Sequence, residues 1–344
     1  MNIFIRTDAS IDIGTGHVTR CLTLADGLKK KDAAISFICR KESGNLIEYI
    51  ENKGYRVNPL PTNIDILADR DLTQKILQEQ QKPTDWMIID HYEIDASWES
   101  TLRKFVKKIM VIDDLANRKH DCDILLGQNY SGNHNRYNGL VPRHCIQLLG
   151  PEYALLRPQF REARESLRER DGEIKRILVF MGGADPFNET CKALRAIQML
   201  DRHDIAVDVV TGASNPNRDE VEKLASLISG TTFYCNVNNM AELMAAADLC
   251  VGAGGTSTWE RCCLGLPVIA MILAENQRKT VEDIERTGIG INLGRHEGVK
   301  KSDIKSSIDY LLKNPEKVRG MSLRAMEIVD GRGTDRVSRE LLEV

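Results

Sequence analysis

Short apolar runs alternate with amphipathic stretches along this chain, and the alternation runs twice. In the first half the apolar runs are 2–6, 34–39, 57–60, 86–90, 109–113 and 124–126. Helical patterns separate them, as in 18–31, where Leu22, Leu24, Ala25 and Leu28 share one face. A polar segment, REARESLRERDGEIKR at 161–176, then interrupts the pattern. Strands at 176–180, 206–211, 232–234, 249–251 and 267–273 follow, with helices at 189–200, 219–227 and 240–246. Strands spaced by helices pair in parallel, so two doubly wound α/β lobes are predicted. The 344 residues suffice for both. The expected division is an N-terminal lobe at 1–160, a solvated helical linker at 161–175 and a C-terminal lobe at 176–344. The last helix is a candidate to return to the first lobe. In open α/β sheets ligands bind beyond the carboxyl ends of the strands, which makes a cleft between two Rossmann-like lobes the default site.

Composition narrows the function classes. A formal net charge of −3 gives no electrostatic case for a nucleic-acid or anionic-membrane partner. No apolar run approaches the ~20 residues of a membrane span, and the start of the chain lacks the pattern of an export signal. The nine cysteines contain no C-x-x-C pair. Reduced thiols and a cytoplasmic location are the economical expectation. His120 near Cys122 and His144 beside Cys145 lack the matching pairs of a tetrahedral zinc site, so no metal is expected. Oligomeric state is not legible, and a monomer is the favoured reading.

Three glycine-rich strand-to-helix turns are candidate anion cradles: Gly14-Thr15-Gly16, Gly182-Gly183 and Gly254-Gly255-Thr256-Ser257. Glycine lets backbone N–H groups approach a ligand, and an opening helix adds orphan amides and a positive dipole end. The first turn is not G-x-G-x-x-G, and Arg40 and Lys41 stand where an acidic ribose partner would be needed, which argues against a dinucleotide cofactor. His17 follows that turn directly. It reads either as a neutral base at a helix N-terminus or as a local hydrogen-bonding residue, with Asp8 or Asp12 as carboxylates that could orient it. Asp90, His91 and Tyr92 end one apolar strand, and Asp113 and Asp114 another; each reads as a site residue or as a helix cap. In the C-terminal half, Glu260 lies one helical turn beyond Ser257. It reads as a ribose ligand or as the glutamate of a capping box. Trp259 reads as core. A further strand ends at Glu275-Asn276-Gln277.

The stretch LCVGAGGTSTWERCCLGLPVIAMILAENQ at 249–277 resembles the nucleotide-sugar site of two-lobed GT-B glycosyltransferases. With RTDASIDIGTGHVTR, IIDHY, CDILLGQN, YALLRPQF, FMGGADPFN and DGRGTDRV added, the chain is similar to the UDP-2,4-diacetamido-2,4,6-trideoxy-β-L-altropyranose hydrolases of pseudaminic acid biosynthesis, from residue 2 to residue 337. The resemblance implies a GT-B fold, a UDP-sugar substrate, no cofactor and metal-independent release of the free sugar by inverting attack of water. It implies His17 as catalytic base, Arg157, Glu260 and Asn276 as ligand contacts, and Tyr92 near the sugar. Asp12, Gly14, Gly16, Gly183, Gly255, Thr256, Ser257 and Gln277 complete the expected substrate contacts. A glycosyltransferase using a UDP-sugar donor is the alternative on the same fold.

Overall fold

The computed structural model describes residues 1–10, 13–130 and 135–344. The chain divides into two compact units, Met1–Leu155 with Arg332–Val344, and Leu156–Gly331.

In the first unit the strands are β1 (Asn2–Thr7), β2 (Ala34–Arg40), β3 (Arg56–Leu60), β4 (Thr84–Asp90), β5 (Val106–Ile112), β6 (Ile124–Gly127) and β7 (Ile146–Leu149). The helices between them are α1 (Gly16–Lys29), α2 (Ile47–Asn52), α3 (Ile66–Gln78) and α4 (Ala96–Leu102). All seven strands are parallel, in the order β3-β2-β1-β4-β5-β6-β7. Both faces are covered, which is why the strands are apolar runs and not alternating patterns. Ile3 and Ile5 point into one cluster with Val18, Leu24 and Phe37, while Phe4 points into the other with Met87, Val111 and Trp98.

The second unit contains α5 (Pro158–Glu165), β8 (Arg176–Phe180), α6 (Glu189–Gln198), β9 (Ala206–Thr211), α7 (Arg218–Ser226), β10 (Thr231–Cys235) and α8 (Met240–Ala246). It continues through β11 (Leu249–Ala253), α9 (Ser257–Cys263), β12 (Val268–Ile272), α10 (Arg278–Thr287), β13 (Gly290–Arg295), α11 (Lys301–Leu312) and α12 (Pro315–Ile328). Its six parallel strands run β10-β9-β8-β11-β12-β13. The last helix, α13 (Gly333–Glu343), belongs to the first unit: Val337 and Leu341 enter its core, and Trp86 Nε1 donates to the Leu341 carbonyl at 3.1 Å.

The two doubly wound sheets are those the alternation predicts, with differences that have physical causes. The expected list omits β7 and β13. The first is four residues long and the second, GINLGR, is interrupted by glycine and polar residues. The boundary between units falls at 155/156, not at 160, and 161–175 lies within the second unit. That segment keeps exposed residues such as Glu162, Glu165 and Glu169, but two of its arginines anchor it to the second unit. Arg164 donates to the carbonyls of Cys263, Val329 and Met326, and Arg170, 5 % exposed, to those of Ala247, Met244 and Leu264. These carbonyls close helix and loop ends that would otherwise be buried without donors. Charge content alone cannot separate such an arginine from a solvated one.

Candidate active site

Each sheet reverses its winding at one point, and the candidate residues gather there. In the first unit β1 has β2 on one side and β4 on the other, so the carboxyl ends of β1 and β4 form the switch point. Thr7 pairs in register with Asp90, which puts the loop after β1 beside the end of β4. Gly14 takes a φ of +80° and its N–H donates to the Ser10 carbonyl at 2.8 Å, a tight turn that delivers the chain into α1 at Gly16. His17 is therefore the second residue of a helix, at its positive end. Asp12 lies outside the described residues.

His17 Nδ1 stands 2.6 Å from Asp90 Oδ1, and its ring meets Tyr92 edge-on at 4.6 Å. Asp8 is not that carboxylate, because it is taken by Arg6 and by the Arg40 N–H. Arg20, three residues after His17 and on the same helix face, grips Asp90 with Nε and Nη2, both at 2.6 Å, and Asp114 with Nη1 at 2.7 Å. Desolvation alone would raise the Asp90 pKa, but the charges of Arg20 and His17 override it and hold the carboxyl far below the usual carboxylate range. An ionised carboxylate only accepts, so Nδ1 carries the proton in the neutral ring and Nε2 is left as the base. Arg20 is the member sequence reading missed; its spacing of three from His17 was the available signal. Asp113 turns out to be structural: it accepts from Arg118, the Ala116 N–H and Tyr137 and so locks its own loop.

Beside His17 lies a pocket of about 640 Å³, formed wholly by the first unit. Two of its lining residues, Asp8 and Arg40, belong to a buried ion network beneath it, in which Arg6 bridges Asp8 and Asp69 and Arg40 Nε donates to Asp69 at 2.8 Å. His91 belongs to that network. Its Nδ1 accepts from the Glu93 N–H at 3.1 Å, its Nε2 faces Asp8 at 3.3 Å, and burial lowers its pKa, so it is a neutral donor.

In the second unit the switch point falls between β8 and β11, and it carries both remaining glycine turns. Gly254 is obligatory because a Cβ there would lie 2.1 Å from Val281 of α10. The helix α9 then opens after Thr256, which makes no side-chain cap hydrogen bond. Taking Thr256 as N-cap makes Glu260 the fourth helical residue, one too far for a capping box. It pairs instead with Arg157 Nη2 at 3.2 Å. Burial raises the Glu260 pKa, with Arg157 pulling against it. Arg157 itself lies over Phe160 and keeps a buried Nε without a hydrogen-bond partner. Asn276 and Gln277 follow β12, where Gln277 accepts from the Leu273 N–H at 3.1 Å and its amide nitrogen lies 3.9 Å from where a Cβ on Gly255 would be. Gly183, after β8, packs against Gly212, where a Cβ would sit 2.3 Å from the Gly183 carbonyl. Trp259 is buried in the core.

His120 is turned onto Glu99 at 2.7 Å, and the Cys122 and Cys145 sulfurs lie 3.5 Å apart. Among the described residues no three His, Cys, Asp or Glu side chains form a metal-binding group, and no helix is long and apolar enough to cross a membrane.

Comparison with known proteins follows this division. Residues 176–331 match the glycosyltransferase family 28 C-terminal domain. An uncharacterized protein of Methanocaldococcus jannaschii is 31 % identical over 82 % of this chain, which spans 58 % of that relative. The UDP-2,4-diacetamido-2,4,6-trideoxy-beta-L-altropyranose hydrolase of Campylobacter jejuni is 28 % identical over 84 % of this chain and 97 % of its own length. The spore coat polysaccharide biosynthesis protein SpsG of Bacillus subtilis is 25 % identical over 98 % of this chain and 97 % of its own. Among solved structures, MurG of Acinetobacter baumannii superposes with a TM-score of 0.69 at 10 % identity, covering 100 % of this chain and 99 % of that one. The UDP-GlcNAc 2-epimerase of Neisseria meningitidis gives 0.66 at 12 % identity, covering 100 % of both chains. The fold is thus of the two-sheet GT-B type, and its second unit matches the C-terminal domain of glycosyltransferase family 28.

Proposed function

We propose that this chain hydrolyses UDP-2,4-diacetamido-2,4,6-trideoxy-β-L-altropyranose to UDP and the free sugar, by direct attack of water at the anomeric carbon. The observation that carries this reading is the His17–Asp90 pair at 2.6 Å, with Arg20 holding Asp90 ionised. Sugar-nucleotide binding by itself needs no oriented base. The similarity to the Campylobacter hydrolase, over nearly all of that enzyme's length, supports the choice of substrate.

In this reading His17 Nε2 accepts a proton as the water oxygen bonds to the anomeric carbon. The bond from that carbon to the β-phosphate oxygen breaks, and its electron pair leaves with UDP. UDP is a good leaving group, so the site needs a placed water and a base more than a strong acid. General-base help of this kind contributes roughly 10²–10⁴-fold. Backbone amides of the 255–257 turn are proposed to receive the charge that develops on the diphosphate, and Glu260 the two ribose hydroxyls. Gly183, Asn276 and Gln277 are proposed as further nucleotide contacts, with Gly14, Gly16, Asp12 and Tyr92 near the sugar.

The match of residues 176–331 to a glycosyltransferase domain favours a second reading, transfer of the sugar to an acceptor. Incubation with the UDP-sugar and no acceptor separates the two. Hydrolysis gives UDP and free sugar in equal amounts; a transferase turns over only when an acceptor hydroxyl is added.

A further inference from the structure

The pocket beside His17 is far larger than a hydrolytic water requires. A water takes up about 30 Å³ of liquid, against the pocket's 640 Å³. Arg40 lines it and is nine-tenths buried. Only its Nε is well used, in the bond to Asp69. Nη1 reaches the exposed Glu93 at 3.6 Å, and Nη2 is buried with no hydrogen-bond partner among the described residues. A buried donor without an acceptor is destabilising, and a fixed ion network beneath it is an expensive floor for an empty surface.

The charge around this guanidinium selects its ligand. Asp69 and Asp8 already lie on it at 2.8 and 3.8 Å, and the rim carries Glu42 and Glu93. A phosphate or carboxylate would meet these carboxylates, whereas a neutral carbonyl oxygen would not. Ile13, 44 % exposed, also lines the pocket and adds apolar surface to it. An acetamido group offers both a carbonyl oxygen and a methyl, and the proposed substrate carries two of them.

We infer that this pocket seats the acetamido substituents of the sugar, with Arg40 donating to an acetamido carbonyl, so that Arg40 selects acylamino over hydroxyl sugars. The inference deepens the hydrolase reading and rests on it for the sugar's identity. A site that hydrogen-bonds a substrate group rejects analogues lacking it, because its own buried donor is then left unpaired.

Saturation-transfer NMR with free 2,4-diacetamido-2,4,6-trideoxy-L-altrose, and with 6-deoxy-L-altrose as the hydroxyl analogue, tests this without requiring turnover. Wild type and His17→Ala are expected to saturate the acetamido methyls, and the hydroxyl analogue to bind more weakly. Arg40→Lys keeps a cation beside Asp69 but loses the guanidinium fork, and is expected to weaken the diacetamido sugar by roughly tenfold or more. Ser43→Trp changes an exposed pocket-lining residue outside the buried network, so it decides the matter if Arg40→Lys does not fold. It is expected to abolish sugar binding with the UDP Kd unchanged. The inference is overturned if wild type shows no acetamido saturation, if both sugars bind equally, or if folded Arg40→Lys or Ser43→Trp keeps wild-type sugar affinity. Absence of UDP-sugar turnover with acetamido saturation intact would instead sink the hydrolase reading and leave the pocket's preference standing.

Discussion

Oδ1 of Asp90 and Nδ1 of His17 stand 2.6 Å apart although 73 positions separate them in the chain. The contact exists because β1 and β4 are neighbours in the sheet, and Thr7 pairs with Asp90. With Asp90 ionised, the pair sets the tautomer of the ring, and through it the nitrogen that can take a proton.

His17→Ala is therefore expected to lower kcat by on the order of 10² or more, with the Kd for UDP near wild type. The proposed nucleotide contacts, Glu260, Asn276 and Gln277 among them, belong to the other unit of the chain. Single-turnover kinetics with UDP titration checks both numbers. Retention of more than about a tenth of kcat would remove His17 as the general base.

Asp90→Asn keeps the size of the side chain but can present an N–H to Nδ1, favouring the wrong tautomer. A loss in kcat on the order of 10²–10⁴ is expected, with little change in UDP binding. A merely structural Asp90 would lower Tm and leave the kcat of the folded fraction intact, so the two are measured together.

Glu260→Gln is expected to raise the Kd for UDP roughly ten- to a hundredfold, since it removes a charged acceptor from the proposed ribose contact. Burial raises the Glu260 pKa, so in wild type the carboxylate takes up a proton at a higher pH than an exposed glutamate. UDP affinity should fall as pH drops through that value, and Glu260→Gln should lose this slope. Calorimetric titration of UDP across pH 4 to 7 measures it. Normal affinity in the variant would rule out the ribose role.

Turnover is expected to survive excess EDTA if backbone amides hold the diphosphate. Restoration of a lost activity by Mg²⁺ would show those amides to be insufficient. In ¹⁸O water the label should enter the sugar and not UDP, and NMR before mutarotation should show the inverted anomer first. Label in UDP would mean attack at phosphorus and would overturn the role given to His17.

Folding stability should fall steeply in acid. An unfolded aspartate binds its proton near pH 3.9, while Asp8, Asp69 and Asp90 are all held lower, Asp8 and Asp69 through Arg6 and Asp90 through Arg20 and His17. Below about pH 4 the unfolded chain binds more protons than the folded one, so these contributions are complete above that pH and are lost as it drops. Melting curves from pH 2 to 7 test this. Arg20→Met should lower Tm at neutral pH, because it strands Asp90 in the interior without its cation.

Much of the candidate site was legible because glycine turns and the residues after them are local features. The position of His17 at the opening of α1 and the turn at 254–257 follow from spacing alone. Glu260 shows where that ends. Ribose ligand and capping glutamate were equally compatible with its distance from Ser257, and a shift of the N-cap by one residue, to Thr256, together with Arg157 packed alongside, decided against the cap. The charged segment at 161–176 shows the same limit, since identical residue types serve solvated faces and buried carbonyl ends.

By itself the sequence determined the two series of parallel strands and crossover helices, since side-chain periodicity and apolar runs act over a few residues. It also determined where each strand gives way to a glycine turn. Only the tertiary structure decided which carboxylate meets His17, that Arg20 holds that carboxylate ionised, and that Arg40 lines a pocket with its Nη2 unpartnered among the described residues. Those facts depend on the order of strands in the sheet, β2-β1-β4, and strand order is set by how the whole chain buries its faces.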